Sequence, residues 1–414
     1  MEDVKRISTE AGLIPEDWNV STLGEAFKKI EAGVSVNSDE RLASKYYVLK
    51  TSSVHDGIVD ISESKPVVKA DYYRLKCPLQ RGSIVISRMN TPELVGAVGY
   101  NAEDHKDVFL PDRLWQITAD EDAEFDFRWL SYLLNLPKYR DAVRSTATGT
   151  SNSMKNISKD RLTEVSIPKP DLEEQILLAG ALYDMDELIS NLTQLIIKKQ
   201  NIRRGTIQHL ITGKQRLPGF NAEWKEYTLG EECRVYGGGT PSTKNDAYWR
   251  GHIPWVSSSD LVENDIFSLS ETRFITADAI NESATQLCPP NSILVVSRVG
   301  VGKIAVCDHE VCTSQDFTNL FVENHNPIFV AYRLLPIMKE MARTAQGTSI
   351  KGVTSDDIRA IKLLLPEEDE QNAVVEILKD MDDEITQLKE TLDKYLRIKI
   401  GMMDELLTGK IRLV

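Results

Sequence analysis

Residues 174–186 read Glu174-Gln175-Ile176-Leu177-Leu178-Ala179-Gly180-Ala181-Leu182-Tyr183-Asp184-Met185-Asp186, and residues 370–382 read Glu370-Gln371-Asn372-Ala373-Val374-Val375-Glu376-Ile377-Leu378-Lys379-Asp380-Met381-Asp382. The two stretches share Glu-Gln, a leucine, and Asp-Met-Asp at a constant offset of 196 residues. Without a gap the register carries on through Ile189 and Ile385, Ile202 and Ile398, Gly205 and Gly401, and Leu210 and Leu406. It ends at Thr212-Gly213-Lys214 with Arg216, and Thr408-Gly409-Lys410 with Arg412. So many ungapped matches mark a long-period internal repeat.

Within each copy the apolar positions step by four and three: Leu178, Leu182, Met185, Ile189, Leu192, Ile196, and Val374, Leu378, Met381, Ile385, Leu388, Leu392, Tyr395. That is a heptad seam, and a helix from Val374 to Leu406 would run roughly 50 Å at 1.5 Å per residue. So long a helix needs a partner, and its copy in the same chain is the most economical one. Periodicity alone also fits a bundle hairpin or a dimer-forming coiled coil. Lys199, Arg203 and Lys399 fall on the seam, where packing is expected to loosen. Gly205 and Gly401 offer a place to kink.

Outside the helices a looser repeat appears. Trp18 and Thr22-Leu23-Gly24-Glu25 return as Trp224 and Thr228-Leu229-Gly230-Glu231. The apolar run ending in Ser87-Arg88 is answered by one ending in Ser297-Arg298, and both read as buried strands. Gly149-Thr150-Ser151 with Lys155 is answered by Gly347-Thr348-Ser349 with Lys351. Ile167 to Pro170 and Leu363 to Pro366 then precede an acid-rich helix start. The order is domain, helix, domain, helix, with boundaries at 1–170, 171–213, 214–366 and 367–414.

The composition suits this plan. At 414 residues the chain exceeds one usual core, and its 41% hydrophobic and 27% charged content is ordinary for globular domains. No apolar run has the length of a membrane span or the pattern of a signal peptide, so a soluble cytoplasmic protein with no membrane contact is expected. Five cysteines without paired spacing argue against a disulfide framework. Cys307, His309 and Cys312 offer only three zinc ligands at an unfamiliar spacing, so no metal is expected. The net charge of −14 weighs against nucleic acid, but 13 acidic against 7 basic groups crowd into residues 367–414. The two globular blocks keep 36 basic groups that folding could gather on one face.

Several residues suit a nucleic-acid surface. Gly237-Gly238-Gly239-Thr240-Pro241-Ser242-Thr243-Lys244 reads as a flexible loop of backbone N–H, hydroxyl and ammonium donors, the groups that position phosphates. Tyr248-Trp249 and Trp255 follow, fit to stack on bases or to fill a core. Arg88 and Arg298 could present a fork to guanine or close a salt bridge.

The segment from Gly237 to Leu261, the Gly-Thr-Ser followed by lysine, and the Pro-Glu/Asp-Gln helix openings resemble the specificity (S) subunit family of type I restriction-modification systems. The resemblance covers essentially the whole chain, although the first domain has Glu31-Ala32-Gly33-Val34-Ser35-Val36 in place of the Gly-Gly-Thr-Pro-Ser loop. It implies an α+β fold: two mixed α/β target recognition domains joined by two long antiparallel coiled-coil helices about a pseudo-two-fold. It implies a non-catalytic reader of a bipartite double-stranded DNA target, with the helices as a ruler somewhat longer than one 34 Å turn of duplex. Two modification subunits carrying S-adenosylmethionine, and restriction subunits using ATP and Mg²⁺, are the implied partners, with no cofactor in this chain. Exposed acidic faces at Asp380, Asp382, Asp383 and Glu384 are either docking surface or solvated helix. The expected DNA-binding residues are Ser87, Arg88, Thr150, Ser151, Lys155, Thr240, Ser242, Lys244, Trp255, Ser297, Arg298, Thr348, Ser349 and Lys351.

The chain's own chemistry is sparse. Gly300-Val301-Gly302-Lys303 lacks the upstream glycine of a phosphate loop and reads as a hairpin turn. No Asp/Asn-Pro-Pro-Tyr/Phe tetrapeptide of amino-methyltransferases occurs. Asp56, Asp60, Glu63 and Lys65 mimic a nuclease metal site at a spacing that chance supplies easily. Two other classes stay open: an enzyme with an unrecognised site, and a coiled-coil adaptor whose twin domains bind proteins or sugars.

Overall fold

The computed structural model describes residues 5–119, 122, 124–148, 154–345 and 352–413. Two long helices, Leu172–Ile211 and Glu368–Leu407, each run 40 residues without interruption. Gly205 and Gly401 both lie within continuous helix, so neither ends its element. The chain folds as two compact units, Met1–Thr193 with Glu390–Val414, and Gln194–Lys389, so each long helix is shared between the two units.

In the first unit a six-stranded sheet has the order Phe27–Ala32, Leu114–Ala119, Ser83–Ser87, Val98–Asn101, Gly57–Val59, Val54–His55. Its central strand Ser83–Ser87 is buried throughout. A second sheet orders Ser64–Pro66, Tyr47–Leu49, His105–Phe109 and Pro78–Leu79. The second unit repeats the plan with Cys233–Gly237, Phe317–Val322, Ile293–Val296 and Ile304–Val306 in one sheet. Its other sheet runs Phe274–Ile275, Ile253–Val256, Val311–Thr313, Leu287–Cys288, and the middle pair is parallel in both units. Each domain is closed by its own ends: Asn19–Thr22 pairs with Ser166–Lys169, and Lys225–Thr228 with Lys362–Leu365. Gly300 and Gly302 form the expected hairpin turn, both at positive φ, between Ile293–Val296 and Ile304–Val306.

The helices are fastened to the domains by the repeated motifs. In the first unit Leu178 and Leu182, both fully buried, share a core with Trp18, Ile167, Leu406 and Leu407. Burying a leucine contributes about 2 kcal/mol, so this seam holds the helix pair to the sheet. In the second unit Leu210, Ile211, Val374 and Leu378 join Phe329 and Leu363 in the same way. The helices run antiparallel within each unit. Glu174 meets Arg412 while Asp186 meets Lys399, and Arg203 meets Asp382 while Arg216 meets Glu370.

The basic residues on the seam therefore do not loosen it. Lys399 Nζ lies 2.5 Å from Asp186 Oδ1, and Tyr132 Oη donates to Asp186 Oδ2 at 2.6 Å. Arg203 repeats the motif, donating to Asp382 Oδ2 at 2.7 Å and Tyr332 Oη at 2.9 Å, and Lys199 pairs with Glu384 at 2.6 Å. Two of the four acidic residues expected as docking surface or solvated helix, Asp382 and Glu384, are spent in these pairs.

The recurrent Glu-Gln and Thr-Gly-Lys acquire physical roles. Gln175 Oε1 accepts from the amide of Asp126, the N-cap of helix Phe127–Asn135, while Nε2 donates to the Pro170 carbonyl at 2.8 Å. Gln371 Oε1 accepts from the amide of Asn326, whose side chain caps helix Pro327–Ala345, and Nε2 donates to the Pro366 carbonyl at 2.8 Å. Gly213 and Gly409 end their helices at φ +70° and +65°, where a side chain is strained, and each presses on a tryptophan, Trp224 or Trp18. No helix among the described residues is long and apolar enough to cross a membrane.

Candidate nucleic-acid interface

In each unit the buried central strand delivers Ser-Arg to a junction with the segment that follows Gly-Thr-Ser. The Arg88 amide donates to the Arg113 carbonyl at 3.1 Å, and the Ile157 amide donates to the Arg88 carbonyl at 2.8 Å. Met89–Asn90 then pairs with Lys155–Ile157, setting Lys155 opposite Asn90. In the second unit the Ser297 and Arg298 amides both donate to the Asp316 carbonyl, and the Val353 amide donates to the Ser297 carbonyl at 2.8 Å. Two recurrent sequence features far apart in each block are thereby neighbours in the fold.

The side chains at this junction divide by burial. Ser87 and Ser297 stand corrected as DNA contacts, because both are buried and their hydroxyls are engaged. Ser87 Oγ accepts from Asn90 Nδ2 at 3.1 Å, and Ser297 Oγ donates to the Asp316 carbonyl at 3.1 Å. The Arg88 guanidinium is half-buried, its carbon 5.4 Å from the centre of the Trp115 ring, an arrangement that orients its planar fork. Arg298 is exposed and lines a cleft of about 400 Å³ with Gln315, Phe317 and Thr354. Neither arginine closes an ion pair among the described residues. Thr150, Ser151, Thr348, Ser349 and Lys351 lie outside the described residues.

The glycine-rich loop is anchored rather than flexible. A Cβ on Gly238 would sit 1.8 Å from the Ser314 carbonyl oxygen, and one on Gly239 would sit 2.3 Å from the Thr285 nitrogen. The Gly239 amide donates to the Thr313 carbonyl at 2.8 Å and the Gly237 amide to Gln286 Oε1 at 2.7 Å. Gly238 and Gly239 serve close backbone approach, and the N–H groups of Gly237 and Gly239 are already donated within the domain. Gly33 does the same in the first unit, where a Cβ would meet the Leu110 carbonyl oxygen at 1.6 Å. The domain lacking the Gly-Gly-Thr-Pro-Ser loop has kept the one glycine that the approach requires.

Trp255 is a core residue, correcting the expectation of a DNA contact. It is 4% exposed, donates from Nε1 to the Gly239 carbonyl at 2.8 Å, and meets Trp249 edge to face at 5.1 Å. Its ring also backs the Arg273 guanidinium, which pairs with Asp260. Beside it opens a second cleft of about 470 Å³, edged by Thr240, Thr243, Trp249 and Arg250. Ser242 and Lys244 are exposed on the same loop, and the Ser242 carbonyl accepts from Trp249 Nε1 at 3.2 Å.

Sequence reading missed Arg113, Gln315 and Arg250, all exposed beside these features. Their only signal was position, since Arg113 and Gln315 sit just ahead of the strands Leu114–Ala119 and Phe317–Val322. The cysteines and acids considered for metals are dispersed. Cys307 and Cys312 belong to different apolar clusters, His309 is exposed and paired with Glu271, and no group of three or more His, Cys, Asp or Glu gathers among the described residues.

Comparison with known proteins agrees with this architecture. The family model for the type I restriction modification DNA specificity domain matches twice, over residues 15–200 and 221–396. A putative type I restriction enzyme MjaX specificity subunit from Methanocaldococcus jannaschii is 24% identical over 98% of this chain and 96% of its own length. The crystal structure of a type I restriction-modification S subunit from M. genitalium matches with a TM-score of 0.54 at 17% identity, covering 94% of this chain and 96% of that one. A chain from a structural study of complex assembly and conformational transition in a type I system matches with a TM-score of 0.57 at 16% identity, covering 96% and 99%. With its repeated scaffold and a family match over both repeats, the chain belongs to the type I restriction modification DNA specificity domain family.

Proposed function

We propose that this chain is the DNA-reading subunit of a type I restriction-modification complex, each of its recognition domains addressing one half of a bipartite target. The observation that carries this reading is the junction built twice, in which a buried strand ends in Ser-Arg and is bonded to the segment after Gly-Thr-Ser. Beside the junctions the exposed Arg113, Arg298 and Gln315 offer donors suited to phosphate oxygens and purine edges. In this reading Arg88, Lys155, Thr240, Ser242, Lys244 and Arg298 face DNA, and the buried serines and Trp255 hold the scaffold.

The chain itself performs no chemistry in this proposal. Its sequence lacks a phosphate loop and an amino-methyltransferase tetrapeptide, so methylation falls to two modification subunits that bind S-adenosylmethionine. Restriction subunits that use ATP and Mg²⁺ join the same complex. The test is to co-express the chain with the modification subunit encoded beside it and map N6-methyladenine across the host genome. A bipartite motif that vanishes without this chain, and of which one half changes when residues 217–366 are exchanged, is the expected result. Absence of chain-dependent methylation, together with failure to co-purify, would sink the proposal and favour a coiled-coil adaptor.

A further inference from the structure

We infer that Gln315, held by Thr240, is a specificity-determining residue of the second recognition domain, where together with Arg298 it reads a guanine. The inference rests on the proposed function and names the recognition chemistry of one half-site. Gln315 is exposed, and its side chain lines the 400 Å³ cleft that Arg298 also lines. Thr240, on the rim of the neighbouring 470 Å³ cleft, donates its hydroxyl proton to Gln315 Oε1. That bond has two consequences. It fixes the amide plane at the boundary between the clefts, and it turns the amide oxygen towards Thr240 and the NH₂ group away from it.

A free glutamine is ambivalent in the major groove, because its oxygen accepts and its nitrogen donates, which matches adenine N6 and N7. With the oxygen turned to Thr240, the group directed away from that bond is the NH₂ donor. Arg298 beside it carries five N–H donors and no acceptor. The Thr354 hydroxyl on the same cleft is bonded to Asp357, and the donors of Arg298 and Gln315 complement the base edge with two acceptors, guanine O6 and N7. Adenine sets an N6 donor beside its single N7 acceptor, and cytosine presents an N4 donor, so both leave a donor facing a donor.

The backbone supports a fixed geometry. Gln315 follows Ser314, whose carbonyl is pressed against Gly238, and precedes Asp316, whose carbonyl accepts the Ser297 and Arg298 amides at 2.8 and 3.2 Å. Gln315 and Arg298 are therefore tied to each other through one backbone junction. Thr240 touches no base in this scheme and acts as a positioning residue.

The experiment uses the full chain co-expressed with its modification subunit, reading the N6-methyladenine motif of wild type, Gln315→Glu and Thr240→Val in a host of mixed sequence. Glutamate is isosteric but only accepts, so Gln315→Glu should reduce methylation about tenfold or more at sites with guanine at one position of one half-site. Preference there should move towards cytosine, whose N4 donates. Thr240→Val removes the bond that orients the amide and lets it turn its oxygen to the base, so adenine should be accepted at that same position, with the other half-site unchanged in both variants. An unchanged motif in Gln315→Glu would overturn the inference while leaving the proposed function standing. Equal weakening at every site would overturn it as well, since a phosphate contact weakens binding without altering preference. A wild-type chain that directs no methylation would remove the proposed function and this inference together.

Discussion

Replacing Gln371 by alanine should loosen the second unit far more than its small size suggests. The side chain is fully buried and makes three bonds: it accepts from the Asn326 amide at 3.0 Å and donates to the Pro366 carbonyl at 2.8 Å and to His325 Nδ1 at 3.0 Å. Pro366 and His325 are themselves buried, so alanine strands two polar groups away from water, each at about 1–3 kcal/mol. Asn326 is half-buried, and its amide recovers part of its loss from solvent. The sum is about 3 kcal/mol, or roughly a hundredfold in the local opening constant at 1.4 kcal/mol per tenfold. Hydrogen exchange reads it directly, because the start of helix Pro327–Ala345 and the strand Lys362–Leu365 should exchange about a hundredfold faster. Gln371→Glu keeps the acceptor but loses both donated bonds and buries a carboxylate beside the Pro366 carbonyl, so it should open the unit at least as much as alanine does. Gln175→Ala should do the same in the first unit, exposing helix Phe127–Asn135, since Gln175 accepts from Asp126 and donates to Pro170. Acceleration below about fivefold at Pro327–Ala345, or an equal rise in both units for either variant, would refute the glutamine as the anchor between helix and domain.

Acidification should weaken the second unit through His325, whose imidazole burial holds below its ordinary value against the opposing pull of Glu232 and Glu368. The unfolded chain then takes up the proton first, so the contribution is intact above roughly pH 6.5 and is lost as pH falls towards the folded value. Thermal melts between about pH 7.5 and 5.5 should show this slope, and His325→Gln should flatten it; identical slopes would remove His325 as the cause. The thiols should be inert in the native chain, since burial pushes Cys307 and Cys312 up to about 11 and Cys77 and Cys233 up to about 12. A chromogenic disulfide reagent near pH 8 should find five reactive thiols only in denaturant, and a rapid native reaction of more than one thiol would contradict this. Gly238→Ala and Gly33→Ala should each destabilise their own unit by about 3 kcal/mol or more, as the added methyl collides with a backbone carbonyl that cannot move aside. A melting temperature within about 2 °C of wild type would show that the loop has slack.

Periodicity made the long helices legible, because a seam repeated every three and four residues depends on local spacing alone. The recurrent Glu-Gln and Thr-Gly-Lys were visible as recurrences but not as mechanisms. Two of their partners, Asp126 and Asn326, carry no local mark, and Trp18 and Trp224 were visible only as a recurrence, with nothing to join them to Gly409 and Gly213. The same limit explains the seam cations. Lys399 and Arg203 read as flaws in an apolar stripe until the antiparallel register sets each against the Asp-Met-Asp of the opposite copy, Asp186 or Asp382. At the candidate interface the strand ends were legible from their apolar runs, whereas burial of the serines depends on the Asn90 and Asp316 contacts that only folding supplies.

The distribution of repetition itself bears on how one scaffold reads two sequences. What recurs almost residue for residue is structural: the glutamine caps, the Glu174–Arg412 and Glu370–Arg216 pairs, and the tyrosine–aspartate–cation clusters. What diverges lies where each junction meets solvent. The residue whose carbonyl accepts the first arginine amide is Arg113 in one unit and Asp316 in the other, a reversal of charge at equivalent positions. Arg88 leans on Trp115 in the first unit, while Arg298 stands in a cleft beside Gln315 in the second. A fold under pressure to keep two identical frames and two different readouts should conserve the ion-paired frame and vary these few side chains. Exchange of Arg113 and Asp316 between the units should therefore alter base preference in both half-sites while leaving the melting behaviour of each unit nearly untouched, because neither side chain contributes to a buried core.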